Sequence, residues 1–360
     1  MASWQDLPQE ILELIAARLA IEDFLAFGAV CTSWRSAATK DTYNAKSKAP
    51  WLMIPVGNGT AEFFSTSRGR IHPVKLPGCR VQPLSPPHWI LASRWGYDHR
   101  VSRWGHEYRI FNPLSQVGIE LPSLAKLRHK SRLSLLKMRG QGGAPRIHRI
   151  ALSSGTSSSG DYTVMVTICR DLRLLGYAIH RSGEDAWTGV SPATNLPRSN
   201  FLQLIHYNGR FVALDTHNRV MTLDERECRM QLRLVLGQTF TGYPYLVECS
   251  GALLVVWKIW SQEDGTVEQV RVFELDLEKG TEEEVESLGN AALVLNGNSA
   301  ISVEFHAETC LPGIKSNRIY FPEKKDEKMH YYSMEDGEVE TYSDAPSVYV
   351  HGATWIQPDF

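Results

Sequence analysis

Residues able to do chemistry are most concentrated in a basic stretch between positions 126 and 149. Eight lysines and arginines occur there without an acidic residue, interleaved with leucines and one methionine. Such a segment suits contact with an acidic or phosphorylated target, or nuclear import, and the alternative is a solvated loop that runs into a strand. A phosphate site would also need the arginines to converge on one face, which spacing cannot show. The residues predicted for target contact are Lys126, Arg128, Lys130, Arg132, Lys137 and Arg139.

The sequence contains no recognisable catalytic or metal-ligating motif. Its twelve histidines form no HExxH or HxH pattern, and no Walker-type loop or GxSxG elbow is present. Five histidines fall in one half of the chain, but their spacing is not that of ligands, which favours surface or turn positions: His88, His99, His106, His129 and His148. We therefore predict no catalytic residue, no cofactor and no metal.

Composition narrows the class of protein. Charged residues make up 22% of the 360 residues and the net charge is -2, so no global bias favours nucleic acid or an anionic membrane. The longest apolar run, 252–259, has only the length of a strand, and the N-terminus lacks the basic lead-in of a signal peptide. Six scattered cysteines without a CxxC pair indicate free thiols, which predicts the cytoplasm and/or the nucleus.

These residues must be positioned by two kinds of element. Up to about residue 48 the apolar residues recur with helical spacing, which predicts three short helices in a domain spanning residues 1–48. Three such helices cannot bury this much apolar surface among themselves. The surplus must contact either a partner protein or the remainder of the chain, where the helices would act as a cap.

From Trp51 onward, short runs of β-branched and aromatic residues alternate with turn residues. The clearest hairpin spans 204–214, with Asn208-Gly209 at its tip. The runs form about six similar blocks, which predicts a mainly β domain over residues 49–360, a kelch-like β-propeller of about six blades. A two-sheet sandwich is the alternative. A strand near 349–357 is predicted to pair beside the first strand and close the ring. The blocks begin near Trp51, His88, His148, Phe201, Tyr243 and Ala291.

The tryptophans of the β domain allow two interpretations. They could form an aromatic platform for a ligand, or they could fill the space between blades, which is the usual role of such residues in a propeller. The residues concerned are Trp89, Trp95, Trp104, Trp187, Trp257 and Trp260.

The N-terminal segment resembles an F-box. The matching stretches are Leu7-Pro8-Gln9-Glu10-Ile11-Leu12, then Asp23-Phe24-Leu25, then Val30-Cys31-Thr32-Ser33-Trp34-Arg35. The resemblance implies docking on the Skp-type adaptor of a cullin–RING ligase through an apolar surface. Some of the apolar residues must instead hold the helices together, and the sequence does not divide them. The predicted adaptor-binding residues are Leu7, Pro8, Ile11, Leu12, Ile15, Leu19, Phe24, Leu25, Val30, Cys31 and Trp34.

The rest of the chain resembles the plant F-box proteins whose C-terminal domain is a KIB-type β-propeller. The stretches that carry this resemblance include 207–215, 273–280 and 317–321. After Gly280 the family commonly has an aromatic residue, whereas this chain has Thr281 and three glutamates, which predicts an exposed blade edge.

The two resemblances together imply a division of labour. The F-box would dock the adaptor and the propeller would bind an unknown target protein, while the ubiquitin chemistry occurs on other subunits. This predicts a non-catalytic substrate receptor without membrane or nucleic-acid partners. Two alternatives stay open: a propeller that sequesters or inhibits a partner such as a kinase, and a propeller enzyme or glycan binder. The last would require a cluster of carboxylates, or of aromatic and polar groups, in the central channel.

Overall fold

The structure is a computed structural model. It describes residues 4, 7–19, 21–39, 50–57, 60–65, 69–75, 80–98, 103–114, 117–128, 144–153, 161–171, 173–237, 240, 242–296, 299–305, 313–323, 325–342 and 354–357.

Three short α-helices precede the β domain, as the helical spacing predicted. They span Gln9–Ala16 (α1), Ile21–Gly28 (α2) and Thr32–Ala37 (α3). Each is too short to be stable in isolation, so tertiary packing must hold them. The predicted domain boundary at residues 48 and 49 touches the stretch 40–49, which is outside the described residues, and it stays a prediction. None of the three described helices is long enough to span a bilayer.

The β domain is a six-bladed propeller, which confirms the predicted fold class. Its strands up to the middle of the chain are Trp51–Gly57 (β1), Thr60–Ser65 (β2), Arg70–Lys75 (β3), Arg80–Pro83 (β4), Ile90–Asp98 (β5), Arg103–Phe111 (β6), Gly118–Glu120 (β7), Leu127–Arg128 (β8), Arg146–Leu152 (β9), Thr163–Arg170 (β10), Arg173–Arg181 (β11) and Trp187–Val190 (β12). Blade 1 contains β1–β3, blade 2 contains β4–β7, and blade 3 contains β8–β12.

Three further blades complete the ring. Their strands, followed by the last strand of the chain, are Phe201–Tyr207 (β13), Arg210–Asp215 (β14), Arg219–Asp224 (β15), Arg229–Val235 (β16), Pro244–Cys249 (β17), Ala252–Trp260 (β18), Val267–Asp276 (β19), Thr281–Glu284 (β20), Ala291–Asn296 (β21), Ser299–Glu304 (β22), Arg318–Glu323 (β23), Lys328–Ser333 (β24), Val339–Thr341 (β25) and Thr354–Ile356 (β26). Blade 4 contains β13–β16, blade 5 contains β17–β20, and blade 6 contains β21–β25. The kelch-like character of the repeat stays a prediction.

The last strand closes the ring, as predicted. β26 joins blade 1 as its first strand and pairs antiparallel with β1, placing Trp51 opposite Ile356 and Leu52 opposite Trp355. Trp355 and Ile356 are 3% and 0% exposed. Blade 1 is thus built from both ends of the β domain, which removes the sheet edge that β1 would otherwise present.

The predicted block starts are right for most blades and wrong for blade 2. That blade begins at Arg80, because β4 is a short, polar strand ending at Pro83 that carries almost no apolar signal. The predicted hairpin is confirmed: β13 pairs with β14 across Asn208 and Gly209, which both have positive φ. The edge after Gly280 is confirmed too, since β20 is the outermost strand of blade 5 and mostly exposed.

Three of the six predicted tryptophans fill the space between blades, Trp260 is half-buried, and the side chain of Trp104 lies outside the described residues. Trp187, Trp257 and Trp89 are 0%, 2% and 4% exposed; Trp187 and Trp89 share one apolar cluster, and Trp257 belongs to another. Trp95 is different, with 52% of its surface exposed. The inter-blade interpretation therefore holds for the first three, and Trp95 is available for contact with another molecule.

Among the described side chains of the three helices, Ile21 of α2 is the one that packs on the propeller. Ile21 is 5% exposed and packs in one apolar cluster with residues of blades 1 and 2, including Trp51, Ile90, Phe111 and Ile356. Ile90 begins β5 and lies opposite Phe111, which ends β6. The helices therefore lie at the end of blade 2 where β5 begins.

The propeller thus has two distinguishable ends, which we call the helix end and the far end. β5 rises from the helix end over nine residues, about 30 Å at the usual rise per residue. Just beyond β4, Ser85 forms a parallel bridge with Ala151 of β9. β4 and β9 therefore run in the same direction, and blade 3 has the same orientation as blade 2. The β5–β6 turn and the β10–β11 turn both lie at the far end.

Candidate protein-interaction surfaces

The structure divides the predicted adaptor-binding residues into three groups, of which the first is a small core. Leu12 and Phe24 are 0% and 2% exposed and pack with Ala16, Phe27 and Ala37. These side chains hold α1, α2 and α3 together and are not available to a partner. Their presence in the motif is explained by the need of three short helices for a common core.

The second group is half-buried along the margin of this core. The ring of Trp34 packs against Phe27 with the ring centroids 4.4 Å apart and tilted by 30°, and its indole Nε1 donates a hydrogen bond to the carbonyl oxygen of Trp4 at 3.3 Å. A partly exposed aromatic ring fixed in this way can both support the helices and contact another protein. The other members of the group are Leu7, Ile15, Leu19 and Cys31.

The third group is exposed and apolar. Ile11 and Val30 are 42% and 57% exposed, and Pro8 is also exposed at the start of α1. Leu14, which was not among the predicted site residues, is 56% exposed and lies one turn from Ile11. The sequence signal that could have identified Leu14 is its place in an apolar stripe of α1 that is already wider than a surface helix needs. The side chain of Leu25 is outside the described residues. Pro8, Ile11, Leu14 and Val30 are named here the helix-domain patch.

At the far end, the β5–β6 hairpin extends beyond its neighbours. β4 reaches only to Ser93 and β7 begins its pairing at Arg109, which leaves the pairs from Arg94–Glu107 to Asp98–Arg103 as a two-stranded arm. An ion pair of 2.9 Å joins Arg94 to Glu107. Trp95 packs edge-on against His106 at 5.0 Å. The arm presents an aromatic surface on the side of the propeller away from the helices.

The predicted basic contact can be followed only in part. Lys126 lies half-buried in a short 3-10 helix, Leu124–Lys126, and Arg128 forms an exposed ion pair of 2.5 Å with Asp185. Lys130, Arg132, Lys137 and Arg139 lie outside the described residues. Because Arg128 is already paired with Asp185, it is not a free cation for a target. For the other basic residues the contact with a target stays a prediction.

The central channel encloses a cavity of about 480 Å³ that is lined from all six blades. Burial, aided by the charges of Arg149 and Arg146, lowers the pKa of His148 to about 4, so this imidazole is neutral at pH 7. The carboxylate of Glu304 accepts a hydrogen bond from the Ser250 amide at 2.8 Å. Among the described residues no group of three or more His, Cys, Asp or Glu side chains could hold a metal ion. The polar lining includes His148, Gln203, His206, Glu248, Ser302 and Glu304.

A buried ion pair at the far end fixes the connection between blades 3 and 4. Asp215 is 0% exposed and accepts hydrogen bonds from the amide and the Nε of Arg219 at 3.0 and 2.6 Å. Arg219 also donates to the carbonyl oxygen of Pro197 at 3.2 Å and to the hydroxyl of Ser199 at 2.8 Å. The hydroxyl of Tyr177 donates to the carbonyl oxygen of Ser199 at 2.5 Å. Residues 197–199 are therefore held rigidly against both blades.

Comparison with known proteins agrees with this architecture. The sequence profile of the KIB1-4 beta-propeller family matches residues 63–343, more than half of the chain. The chain belongs to the KIB1-4 beta-propeller family. An F-box-like profile matches residues 4–44, the part that contains α1, α2 and α3. This member of the KIB1-4 beta-propeller family is therefore a plant F-box protein, as the motif resemblance predicted.

Relatives of this KIB1-4 propeller protein carry F-box names. The F-box/kelch-repeat protein At1g57790 of Arabidopsis thaliana is 24% identical over 93% of this chain and 88% of its own length. F-box protein SKIP23 of the same plant is 26% identical over 71% of this chain and 64% of its own length. Among solved structures, an exo-beta-1,3-galactanase from Phanerochaete chrysosporium covers 86% of this chain and 69% of its own, with a TM-score of 0.36 and 10% identity. That similarity supports no argument about function.

F-box proteins are in general adaptors for substrates in Skp–cullin–F-box ligases and are typically non-catalytic. The F-box, the propeller and the F-box relatives support that general role for this chain.

Proposed function

We propose that this protein is a target receptor of a Skp–cullin–F-box ubiquitin ligase, in which the helix-domain patch docks on the adaptor and the propeller binds the target. The observation that carries the proposal is the exposed patch itself. Ile11, Leu14 and Val30 keep 42%, 56% and 57% of their surface in contact with solvent, although α2 is already seated on the propeller through Ile21.

The contact between the helices and the propeller argues against the alternative that the helices form only a cap. A cap would turn its surplus apolar surface toward the blades. Only Ile21 is shared between the helices and the described apolar clusters of the propeller, whereas the patch faces outward. An exposed apolar patch of this kind is typical of a surface that binds another protein.

The propeller end that would receive the target is the far end. Because the helices occupy the helix end, an adaptor bound to them leaves the far end accessible. The arm with Trp95 stands there, and exposed aromatic residues contribute strongly to protein interfaces. The four described cysteines are free thiols, which suits the cytoplasm or the nucleus, where we place the protein.

The proposal is tested by co-expressing the chain with a Skp-type adaptor and measuring co-elution and Kd. Replacing Ile11 with Asp is expected to weaken adaptor binding by about tenfold to a hundredfold or more, because a buried isoleucine contributes about 1.5–3 kcal/mol. Ile11 is suited to this test since it is exposed, whereas Leu12→Asp would place a charge in the helix core.

The matched control is Leu232→Asp in blade 4. Leu232 is 41% exposed, against 42% for Ile11, so both substitutions place the same charge at an equally exposed apolar position. We expect the Leu232 variant to bind the adaptor like the wild type and both variants to keep the wild-type circular dichroism spectrum. The proposal fails if the wild type elutes alone, or if both variants lose the adaptor equally.

A further inference from the structure

The cavity in the central channel is built from the same position in every blade. Its lining comes from the strand at one edge of each sheet, or from the chain just beyond that strand: β26, β4, β9, β13, β17 and β22. The volume of about 480 Å³ greatly exceeds the about 10–15 Å³ that one water needs. It lies within the range of about 300–1,000 Å³ that is typical of small-molecule sites. The cavity is therefore large enough for an organic ligand.

Two buried polar atoms of the lining have no partner within the described part of the chain. They are the amide nitrogen Nε2 of Gln203 and the imidazole nitrogen Nδ1 of His148. Gln203 as a whole is only 2% exposed. A buried polar group without a hydrogen bond lowers stability, so such groups in folded proteins usually meet a bound water or ligand. The lining thus has hydrogen-bonding capacity that its own residues do not use.

The backbone that carries these two side chains is held in place by a network between blades 3, 4 and 5. The Nε of Arg149 donates to the carbonyl oxygen of Leu202 at 2.8 Å, and the hydroxyl of Tyr243 donates to the same oxygen at 2.8 Å. Arg149 also donates to the Tyr243 hydroxyl. His148 precedes Arg149 and Gln203 follows Leu202, so both polar side chains are positioned before a ligand binds.

The charges around the cavity do not favour an ionic ligand. The lining contains one arginine, Arg149, and two glutamates, Glu248 and Glu304. Burial lowers the pKa of His206, as it does for His148, so these two imidazoles are mainly neutral at pH 7. A polyanion would meet two carboxylates and a single guanidinium group. A metal ion would find no group of three suitable side chains among the described residues.

The rest of the lining is largely aliphatic and includes Ile150, Ile205, Leu246 and Ile301. These side chains suit the C–H faces of a small ring. A wholly apolar ligand would leave the amide of Gln203 without a hydrogen bond, which is unfavourable for binding. The lining therefore fits a molecule that combines apolar C–H surface with several uncharged polar groups.

We propose that the central channel binds a small neutral polyhydroxylated molecule, of the size of a monosaccharide, a disaccharide or a cyclitol. A hydroxyl group both donates and accepts, so it can accept from the amide of Gln203 and satisfy Nδ1 of His148 in either tautomer. Other hydroxyls of the same molecule can donate to the carboxylates of Glu248 and Glu304. This site is independent of the receptor function.

A ligand in the channel would also contact the strand that closes the ring. Gln357 lines the cavity, and its amide donates to the carbonyl oxygen of Pro87, another lining residue, at 3.2 Å. Gln357 directly follows Ile356, which pairs with Trp51 of β1. Because the ligand would touch all six blades of the closed ring, we expect it to raise Tm by mass action.

The test uses the full chain and six neutral probes: D-glucose, D-galactose, D-xylose, myo-inositol, sucrose and trehalose. Saturation-transfer NMR titrations measure Kd, and circular dichroism measures Tm at millimolar probe, well below the concentrations at which sugars stabilise proteins by exclusion. We expect at least one probe to bind saturably with a Kd of about 1 mM or tighter and to raise Tm. Glucose 6-phosphate and glucosamine, which carry a charge, are expected to bind at least about tenfold more weakly than the best neutral probe.

Gln203→Met keeps the length of the side chain and removes its amide. It is expected to weaken binding of the probe by about fivefold to tenfold, and to keep or raise Tm in the absence of the probe, because an unpartnered buried amide is replaced by an apolar group. The matched control is Gln231→Met in the outermost strand of the same blade, where the amide donates to the Asp224 carboxylate at 2.8 Å. The control variant is expected to bind the probe within about twofold of the wild type.

The proposal is overturned if no neutral probe binds saturably, which would assign the buried polar atoms to ordered water alone. It is also overturned if a charged probe binds as tightly as the best neutral one, or if Gln203→Met and Gln231→Met have the same affinity. Ile11→Asp is expected to bind the probe as the wild type does. Adaptor binding without probe binding would contradict the channel site alone, and probe binding without adaptor binding would contradict the receptor function alone.

Discussion

Replacing Arg219 with methionine is expected to lower the free energy of unfolding by about 3–5 kcal/mol. The substitution keeps the aliphatic bulk but leaves the Asp215 carboxylate, which is 0% exposed, without its charged partner. It also removes the donors to Pro197 and Ser199. Urea denaturation followed by tryptophan fluorescence measures the loss. A decrease below about 1 kcal/mol would show that the ion pair contributes little to stability.

Two further variants show whether the loss of stability comes from the unpaired buried charge or from packing. Arg229→Met changes an exposed arginine of the same blade whose guanidinium donates a hydrogen bond to the hydroxyl of Thr194, and it is expected to alter stability by less than about 0.5 kcal/mol. Asp215→Leu/Arg219→Met removes both charges and is expected to recover much of the loss, because the main cost in the single variant is an uncompensated buried charge. A double variant as unstable as the single one would assign the cost to packing instead.

A chain that ends at residue 353 is expected to lose most of its thermal stability. It lacks Trp355 and Ile356, which are 3% and 0% exposed, and burial of two such side chains contributes about 3–6 kcal/mol. Domains of this kind are stable by only about 5–15 kcal/mol in total. The loss also uncovers the edge of β1. The measurements are Tm by circular dichroism and the fraction of monomer in size-exclusion chromatography.

A peptide of residues 352–358 provides the control for this truncation. Added in excess, it is expected to restore part of the lost Tm by pairing with β1, whereas a peptide of the same composition in scrambled order should not. If the truncated chain melts like the full-length chain, closure by β26 is not what holds blade 1 in the ring.

Local sequence patterns predicted the elements well because each depends on residues close together in the chain. The hairpin at Asn208-Gly209 needs only a turn that accepts positive φ and two apolar flanks. The helices and the closing strand follow from periodicity in the same way. The sequence did not predict β4, because this inner strand, Arg-Val-Gln-Pro, contains a single apolar residue besides its proline.

The functional surfaces could be predicted only in part, since they depend on contacts between distant residues. Ile11 and Leu12 are adjacent in a wide apolar stripe, yet Leu12 is buried by α2 and α3 while Ile11 is exposed. Strand register sets a further limit, because both pairings of β10 contain irregularities that no local pattern reveals.

The apolar seat of Ile21 contains residues from both ends of the chain. Ile21 belongs to α2, while Ile356 lies in the last strand, and the two side chains share one cluster with Trp51 and Phe111. During synthesis the helices leave the ribosome first, but their seat on the propeller is incomplete until residue 356 has emerged. We therefore expect a nascent or C-terminally truncated chain to carry its F-box in no fixed orientation. Only a chain with a complete propeller would hold a bound target in a fixed position relative to the ligase. Incomplete translation products would therefore not present a target to the ligase.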